Sequence, residues 1–293
     1  MNNRDVRVKS RIRQVYDNSV SNNKINLNKP ISKINNNSND NSEKIVEIKN
    51  NKYLRKENVD YNAIIIISSY NRYNKLIKIL EQLYTQKTKY TFLPIVINDG
   101  SNDIKYDQIP NKYNNIKYIK NERNYGLKHY WKTFNKLLNE VKQYNVDCVI
   151  QIDDDFILCD NFMDRLIDLF FSIKENDSNY IAIKYHLGVL GDKKIDDNWF
   201  DKTKRFQDVD GGTLFDPTFF EIINYKIDDI TRFAGLNGSG VWKFFNDKIK
   251  KYKLNVYTVR KSFAYHDGNY DSKMHKRIRL KKQYKTVNFI DNE

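Results

Sequence analysis

Residues 63–69 read AIIIISS, a continuous apolar run dominated by β-branched side chains. A strand with no polar edge to its pattern has to be covered on both faces, and that points to a sheet sandwiched between helices. The segments downstream fit such a sheet. NRYNKLIKILEQLY sets Leu76, Ile79, Leu80 and Leu83 at helical spacing. FLPIVIN (92–98) is a second apolar strand and NIKYIKN (115–121) a short third. GLKHYWKTFNKLLNEVKQY is a helix with Trp131, Phe134, Leu137, Leu138 and Val141 on one side, and CVIQI (148–152) is a fourth strand. NFMDRLIDLFFSIKE returns to helix and YIAIKYH to strand. Strand and helix alternating at this pitch imply right-handed βαβ units and a mostly parallel sheet flanked by helices.

The first 58 residues obey another rule. They are polar and Asn-rich without sustained apolar periodicity, and such a segment buries too little surface to offset its ordering entropy. The expected organisation is a flexible tail over 1–58 and one domain over 59–293. The formal net charge of +14 suits an anionic partner, but a chain this rich in Asn, Lys, Ile and Tyr reaches it equally by AT-biased coding. Its two cysteines, Cys148 and Cys159, make neither a disulfide framework nor a zinc cluster, which suggests a reducing compartment. The N-terminus lacks the apolar core of a secretory signal, and no run approaches the ~18 to 20 apolar residues of a membrane span. A soluble, intracellular (cytoplasmic) protein is the expectation.

Ligands of open α/β sheets bind outside the carboxyl ends of the strands. Three polar motifs share that address: SSYNR after the first strand, DGSND after the second, and Asp153, Asp154 and Asp155 after the fourth. Adjacent carboxylates repel and do not enter a core without compensating charge. Mg²⁺ and Mn²⁺ are typically held by one or two carboxylates together with substrate phosphates, so a bridging cation would turn this repulsion into attraction. An exposed acidic turn capping the helix at Asn161 is the alternative.

The order IIIISSYNR, LIKILEQLYTQ, PIVINDGSND, NERNYG and VIQIDDD resembles the family 2 glycosyltransferases of the GT-A fold. The likeness is close over 63–155 and looser beyond. It implies a nucleotide-sugar-binding half over 59–160 and an acceptor-side half with a C-terminal loop over 161–293. It also implies an Mn²⁺ or Mg²⁺ cofactor, a nucleoside-diphosphate sugar donor (UDP-sugar favoured) and inverting transfer to a hydroxyl of a glycan, protein or small molecule. By the Asp-x-Asp motif of that family, Asp155 is the metal ligand and Asp153 the ribose-side residue near it, with Asp154 competing for the second role. Asp99 takes the base-binding place, although Asn98 stands where the family has a second aspartate. Ser68 and Tyr70 would line the base pocket and Arg72 reach a phosphate; Ser69 or Asn71 as an ordinary helix cap is the plainer account. Asn124 and Gly126 match the family's N-x-G loop, but HYWK replaces the usual continuation. His266 stands where some GT-A enzymes complete the metal site, and Lys273, His275 and Arg277 could close over the diphosphate.

Inverting transfer needs a general base. The family's acidic pair aligns with GSGVW (238–242), which has no carboxylate. Asp228, Asp229, Asp210 and Asp216 are all eligible, with Asp229 preferred. Two other classes compete. A nucleotidyltransferase-like enzyme would carry a Gly-rich loop after the first strand, and SSYNR has no glycine. A basic nucleic-acid-binding protein on a degenerate enzyme fold would show a contiguous basic face; nucleic acid is the less favoured partner.

Overall fold

The computed structural model describes residues 58–186, 200–202, 209–234, 239–259 and 261–267. The proposed tail, Asn58 apart, lies outside them, as do Lys273, His275 and Arg277.

Strand β1 (Tyr61–Ser69) runs through the middle of the first half. Its four isoleucines are fully buried and point alternately to opposite faces. Ile65 and Ile67 pack with Leu76, Ile79, Leu80 and Leu83 of α1 (Tyr73–Thr85), while Ile64 and Ile66 pack with Phe134, Leu137 and Leu138 of α3 (Gly126–Val141). Burial contributes ~1.5–3 kcal/mol per side chain of this size, so the run anchors two hydrophobic layers at once. Between those helices come β2 (Phe92–Asn98), a 3₁₀ turn (Ile104–Gln108), the short α2 (Ile109–Lys112) and β3 (Lys117–Lys120), and β4 (Val146–Asp153) comes after α3. Strands β3, β2, β1 and β4 are parallel neighbours in that order.

The second half departs from the βαβ rule. It contains β5 (Phe156–Leu158), α4 (Phe162–Asn176), β6 (Tyr180–Lys184), β7 (Phe200–Lys202), β8 (Thr213–Phe215), α5 (Pro217–Ile222), a 3₁₀ turn (Thr231–Phe233), α6 (Val241–Lys251), β9 (Asn255–Val259) and β10 (Ala264–His266). The eight-stranded order is β3-β2-β1-β4-β8-β6-β9-β7, and β8 lies antiparallel between β4 and β6. Strands β5 and β10 form a separate antiparallel pair. The segment DGGTLFDPTFFEII is therefore a strand followed by a helix: Asp216 Oδ1 accepts from Thr218 N at 2.9 Å, and Pro217 opens α5. No helix of the described residues is long and apolar enough to cross a membrane.

Candidate active site

The polar loops of the first half interlock at the carboxyl ends of β1, β2 and β4. Asp99 follows β2 and is almost fully buried. Its Oδ1 accepts from Asn121 Nδ2 at 2.6 Å and Thr133 Oγ1 at 2.7 Å, and its Oδ2 accepts from Asn124 Nδ2 at 2.9 Å. Oδ2 thus retains a lone pair for a further donor. Gly100 lets the two loops touch: its φ is +76°, and a Cβ there would lie 2.3 Å from the backbone of Arg123 and Asn124. Asn98 is accounted for by its neighbours. Its Oδ1 accepts from Ser101 N at 2.8 Å and its Nδ2 donates to Tyr118 at 3.0 Å, a donation no carboxylate could make.

After β1, Ser68 Oγ and the Tyr130 hydroxyl share a hydrogen bond of 2.5 Å, which joins SSYNR to α3. Ser69 pairs instead with Tyr106 at 2.7 Å, and Asn71 adopts a left-handed φ of 53° and accepts from Asn102 N. Neither caps α1, whose N-cap position is Arg72 without a side-chain cap bond. Tyr70 is half-buried beside them, and Gly126 begins α3 with φ +63°.

Arg72 faces the aspartates. Its Nη1 lies 2.8 Å from Asp154 Oδ1, and its Nη2 bonds Asp155 Oδ2. This guanidinium answers how the chain keeps three adjacent carboxylates at a strand end. The three are not equivalent. Burial pushes the carboxyl of Asp154 up to about 7 against the opposing pull of Arg72. Burial likewise raises Asp153, with His266 opposing. Burial works against ionisation of Asp155 too, but there the His266 hydrogen bond and the charges of His266 and Arg72 win and hold it well below the usual carboxylate range.

His266 arrives by strand pairing. In the β10–β5 ladder it sits opposite Phe156, the residue after the aspartates, and Asp267 N donates to Asp155 O at 2.8 Å. His266 Nδ1 is consequently 3.1 Å from Asp155 Oδ1. Burial disfavours its cation, but the Asp155 hydrogen bond and the charges of Asp153, Asp155 and Asp210 outweigh that and raise its pKa. Asp153, Asp155 and His266 offer ligand atoms all within 4.8 Å of one another. The two carboxylates suit either Mn²⁺ or Mg²⁺ and the imidazole favours Mn²⁺ of the two, with open positions left over, so the residues fit a divalent cation.

Several neighbours were not anticipated. Gln151 Nε2 donates to Asp153 Oδ1 at 2.9 Å and orients it. His186 stands edge-on to His266 with ring centroids 4.8 Å apart, and burial lowers its pKa to about 4. It lies just past β6, which runs in the direction of β4, so the strand-end rule that flagged Asp99 also marks this histidine. Asp229 is exposed and accepts from the Thr231 backbone at 3.0 Å and the Thr231 hydroxyl at 2.6 Å, at the entry to the second 3₁₀ turn. The charges felt by Asp229 are His129 and Lys132, on α3, rather than the aspartates. Asp216 is buried against Lys174. Ser239 and Gly240 lead into α6, and Gly238 lies outside the described residues.

Known proteins share this fold. The sequence matches Glycosyl transferase family 2 over residues 64–229, more than half the chain. The chain belongs to that family. A search of curated proteins finds no matching relative. Among solved structures, S. aureus TarS 1-349 in complex with UDP-GlcNAc superposes with a TM-score of 0.52 at 16% identity, covering 74% of this chain and 61% of that one. The UDP complex of the same fragment gives 0.52 at 18%, over 70% and 60% of the two chains. Against the longer TarS structure the chain spans 36% of the length, with a TM-score of 0.51 at 17% identity over 70% of this chain. At these identities the likeness establishes the shared fold, a mostly parallel α/β sheet flanked by helices of GT-A type.

Proposed function

We propose that this family 2 domain is a metal-dependent glycosyltransferase that moves a sugar from a nucleoside-diphosphate sugar, UDP-linked by preference, to a hydroxyl acceptor with inversion. One observation carries the proposal. Asp153, Asp155 and His266 converge within 4.8 Å at the end of β4, on the same side of the sheet as the hydrogen-bonded loops around Asp99. The TarS neighbours, solved with UDP-GlcNAc and with UDP, support the choice of donor.

In this scheme Asp99 Oδ2 accepts an N–H of the base, and Ser68, Tyr70, Asn124 and Gly126 line that end. Asp153 or Asp154 turns toward the ribose. Asp153, Asp155 and His266 hold a divalent cation, Mn²⁺ or Mg²⁺, which when bound neutralises the diphosphate and its growing charge as the sugar departs. Arg72, at present shared by Asp154 and Asp155, is within reach of the same phosphates. Lys273 and Arg277 are assigned to the leaving group on the family resemblance alone.

Thermal shift with UDP and other nucleotides, with and without Mn²⁺, tests this. UDP with Mn²⁺ should raise the melting temperature, EDTA should reverse the rise, and Asp155→Ala should weaken Mn²⁺-dependent binding by about 100-fold or more. A response equal without metal, or unchanged in Asp155→Ala, would sink the metal-bridged scheme.

A further inference from the structure

We propose that Asp210 is the general base that deprotonates the acceptor, an assignment that rests on the glycosyl-transfer function proposed above. The stretch that aligns with the family's acidic pair, GSGVW (238–242), has no carboxylate. Ser239 is buried, with its Oγ turned to Val241 N at 3.4 Å. The carboxylate for base catalysis therefore comes from elsewhere in the chain.

The topology of β8 brings one. Its register sets Thr213 opposite Gln151 of β4 and Lys184 of β6. Continued two residues, the antiparallel register takes Gly211 alongside Asp153. The close contacts agree: a Cβ on Gly211 would lie 2.3 Å from Asp153 Oδ2, and one on Gly212 would lie 2.3 Å from His186 Cβ. Consecutive glycines thus press the backbone against the sugar-side aspartate and the second histidine. Asp210 is the residue just before them.

Its side chain is fixed and open at once. Lys184 Nζ lies 2.5 Å from Oδ2, Gly212 N donates to Oδ1 at 3.2 Å, and the side chain remains 40% exposed. The carboxylate is near enough to the centre for its charge to favour the cation of His266 and, against the larger effect of burial, that of His186. Of the other eligible carboxylates, Asp229 is engaged by Thr231 and Asp216 caps α5 beneath Lys174, while Asp228 is exposed beside Asp229 on the loop before the second 3₁₀ turn.

The step balances as a single displacement. The acceptor O–H bond breaks and its proton passes to a carboxylate oxygen of Asp210. The oxygen's electron pair forms the bond to the anomeric carbon. The pair of the breaking carbon–oxygen bond leaves with the nucleoside diphosphate.

The test uses the full chain with UDP-GlcNAc, Mn²⁺ and water as acceptor, comparing wild type with Asp210→Asn, Asp210→Ala and Asp229→Asn. Turnover is read as UDP release and binding as UDP·Mn²⁺ calorimetry. Asp210→Asn should lose about 100-fold or more in turnover while its UDP·Mn²⁺ affinity stays within roughly threefold. Formate should restore part of the rate to Asp210→Ala, which a merely structural loss would not allow. Wild-type turnover in Asp210→Asn, an affinity loss matching the rate loss, a loss falling on Asp229→Asn instead, or a wild type that binds donor without ever turning it over would each overturn the assignment. A wild type that fails to bind UDP with Mn²⁺ defeats the donor proposal itself, and this one with it.

Discussion

The two halves of this domain build their share of the site by different geometry. In the first, strands β1, β2 and β4 run parallel, so SSYNR, NDGS and the three aspartates emerge on one side because every strand ends there. In the second, β8 runs the other way and contributes the loop at its amino end, while His266 comes from a two-stranded ladder outside the main sheet. A parallel sheet places residues by rule. The second half places them by pairings between segments far apart in sequence.

The halves nonetheless share a core. Phe134 on α3 and Phe245 on α6 are both buried, with ring centroids 5.6 Å apart and planes at 75°. Truncating either to alanine should cost about 3–5 kcal/mol, and the double mutant should reveal a coupling of about 0.5–1.5 kcal/mol. Urea unfolding followed by tryptophan fluorescence and circular dichroism should give a single coincident transition in each case. Two transitions, one per variant, would mean that 59–160 and 161–293 fold separately.

Two glycines sharpen the contrast at a lower energy. Gly100→Ala places a Cβ against backbone atoms and imposes a left-handed residue, a strain of about 1–3 kcal/mol before any clash. It should melt earlier and lose UDP affinity with or without metal. Gly211→Ala meets the carboxylate of Asp153 as its nearest neighbour. It should keep its melting temperature more nearly, but lose the Mn²⁺-dependent part of UDP binding. Equal behaviour of the two variants would erase the proposed division between base side and metal side.

That division also marks what the sequence could disclose. The apolar runs and their polar ends foretold β1 through β4, α1 and α3, because each pattern is local and its period reveals the covered face. The placement of Asp99, Asp153 and Asp155 at strand ends was legible for the same reason. The engagement of Arg72 with Asp154 and Asp155 was not, since nothing in SSYNR tells a guanidinium whether to meet a phosphate or a carboxylate. The family's acidic pair was sought by alignment, and its absence left four aspartates eligible, with Asp229 preferred. What favours Asp210 in the present proposal is the reversed direction of β8, a tertiary fact that a three-residue strand does not encode by period. His186 was within reach of the strand-end rule, but a lone histidine after a short apolar run carries no spacing signature of its own.

The smallest effect lies in the two thiols, one in each kind of surrounding. Cys148 sits within β4, paired with Ala63 of β1 and fully buried, and burial pushes its pKa well above the ordinary thiol range. Cys159 comes just after β5; its backbone N–H donates to Phe263 O at 2.9 Å, and burial pushes its pKa up to about 12. Neither forms appreciable thiolate near neutral pH, so labelling by a disulfide reagent waits on local opening. Opening at Cys159 needs only the β5–β10 ladder to part, whereas exposing Cys148 means separating β4 from the centre of the sheet. Cys159 should therefore label first, by roughly tenfold or more in rate, a gap set by the difference in opening free energy. A metal held by Asp155 and His266 would clamp that ladder, so Mn²⁺ should slow Cys159 and leave Cys148 unchanged. Equal labelling rates, or slowing of both thiols together, would mean that the ladder opens only with the whole domain and that the second half is as firmly built as the first.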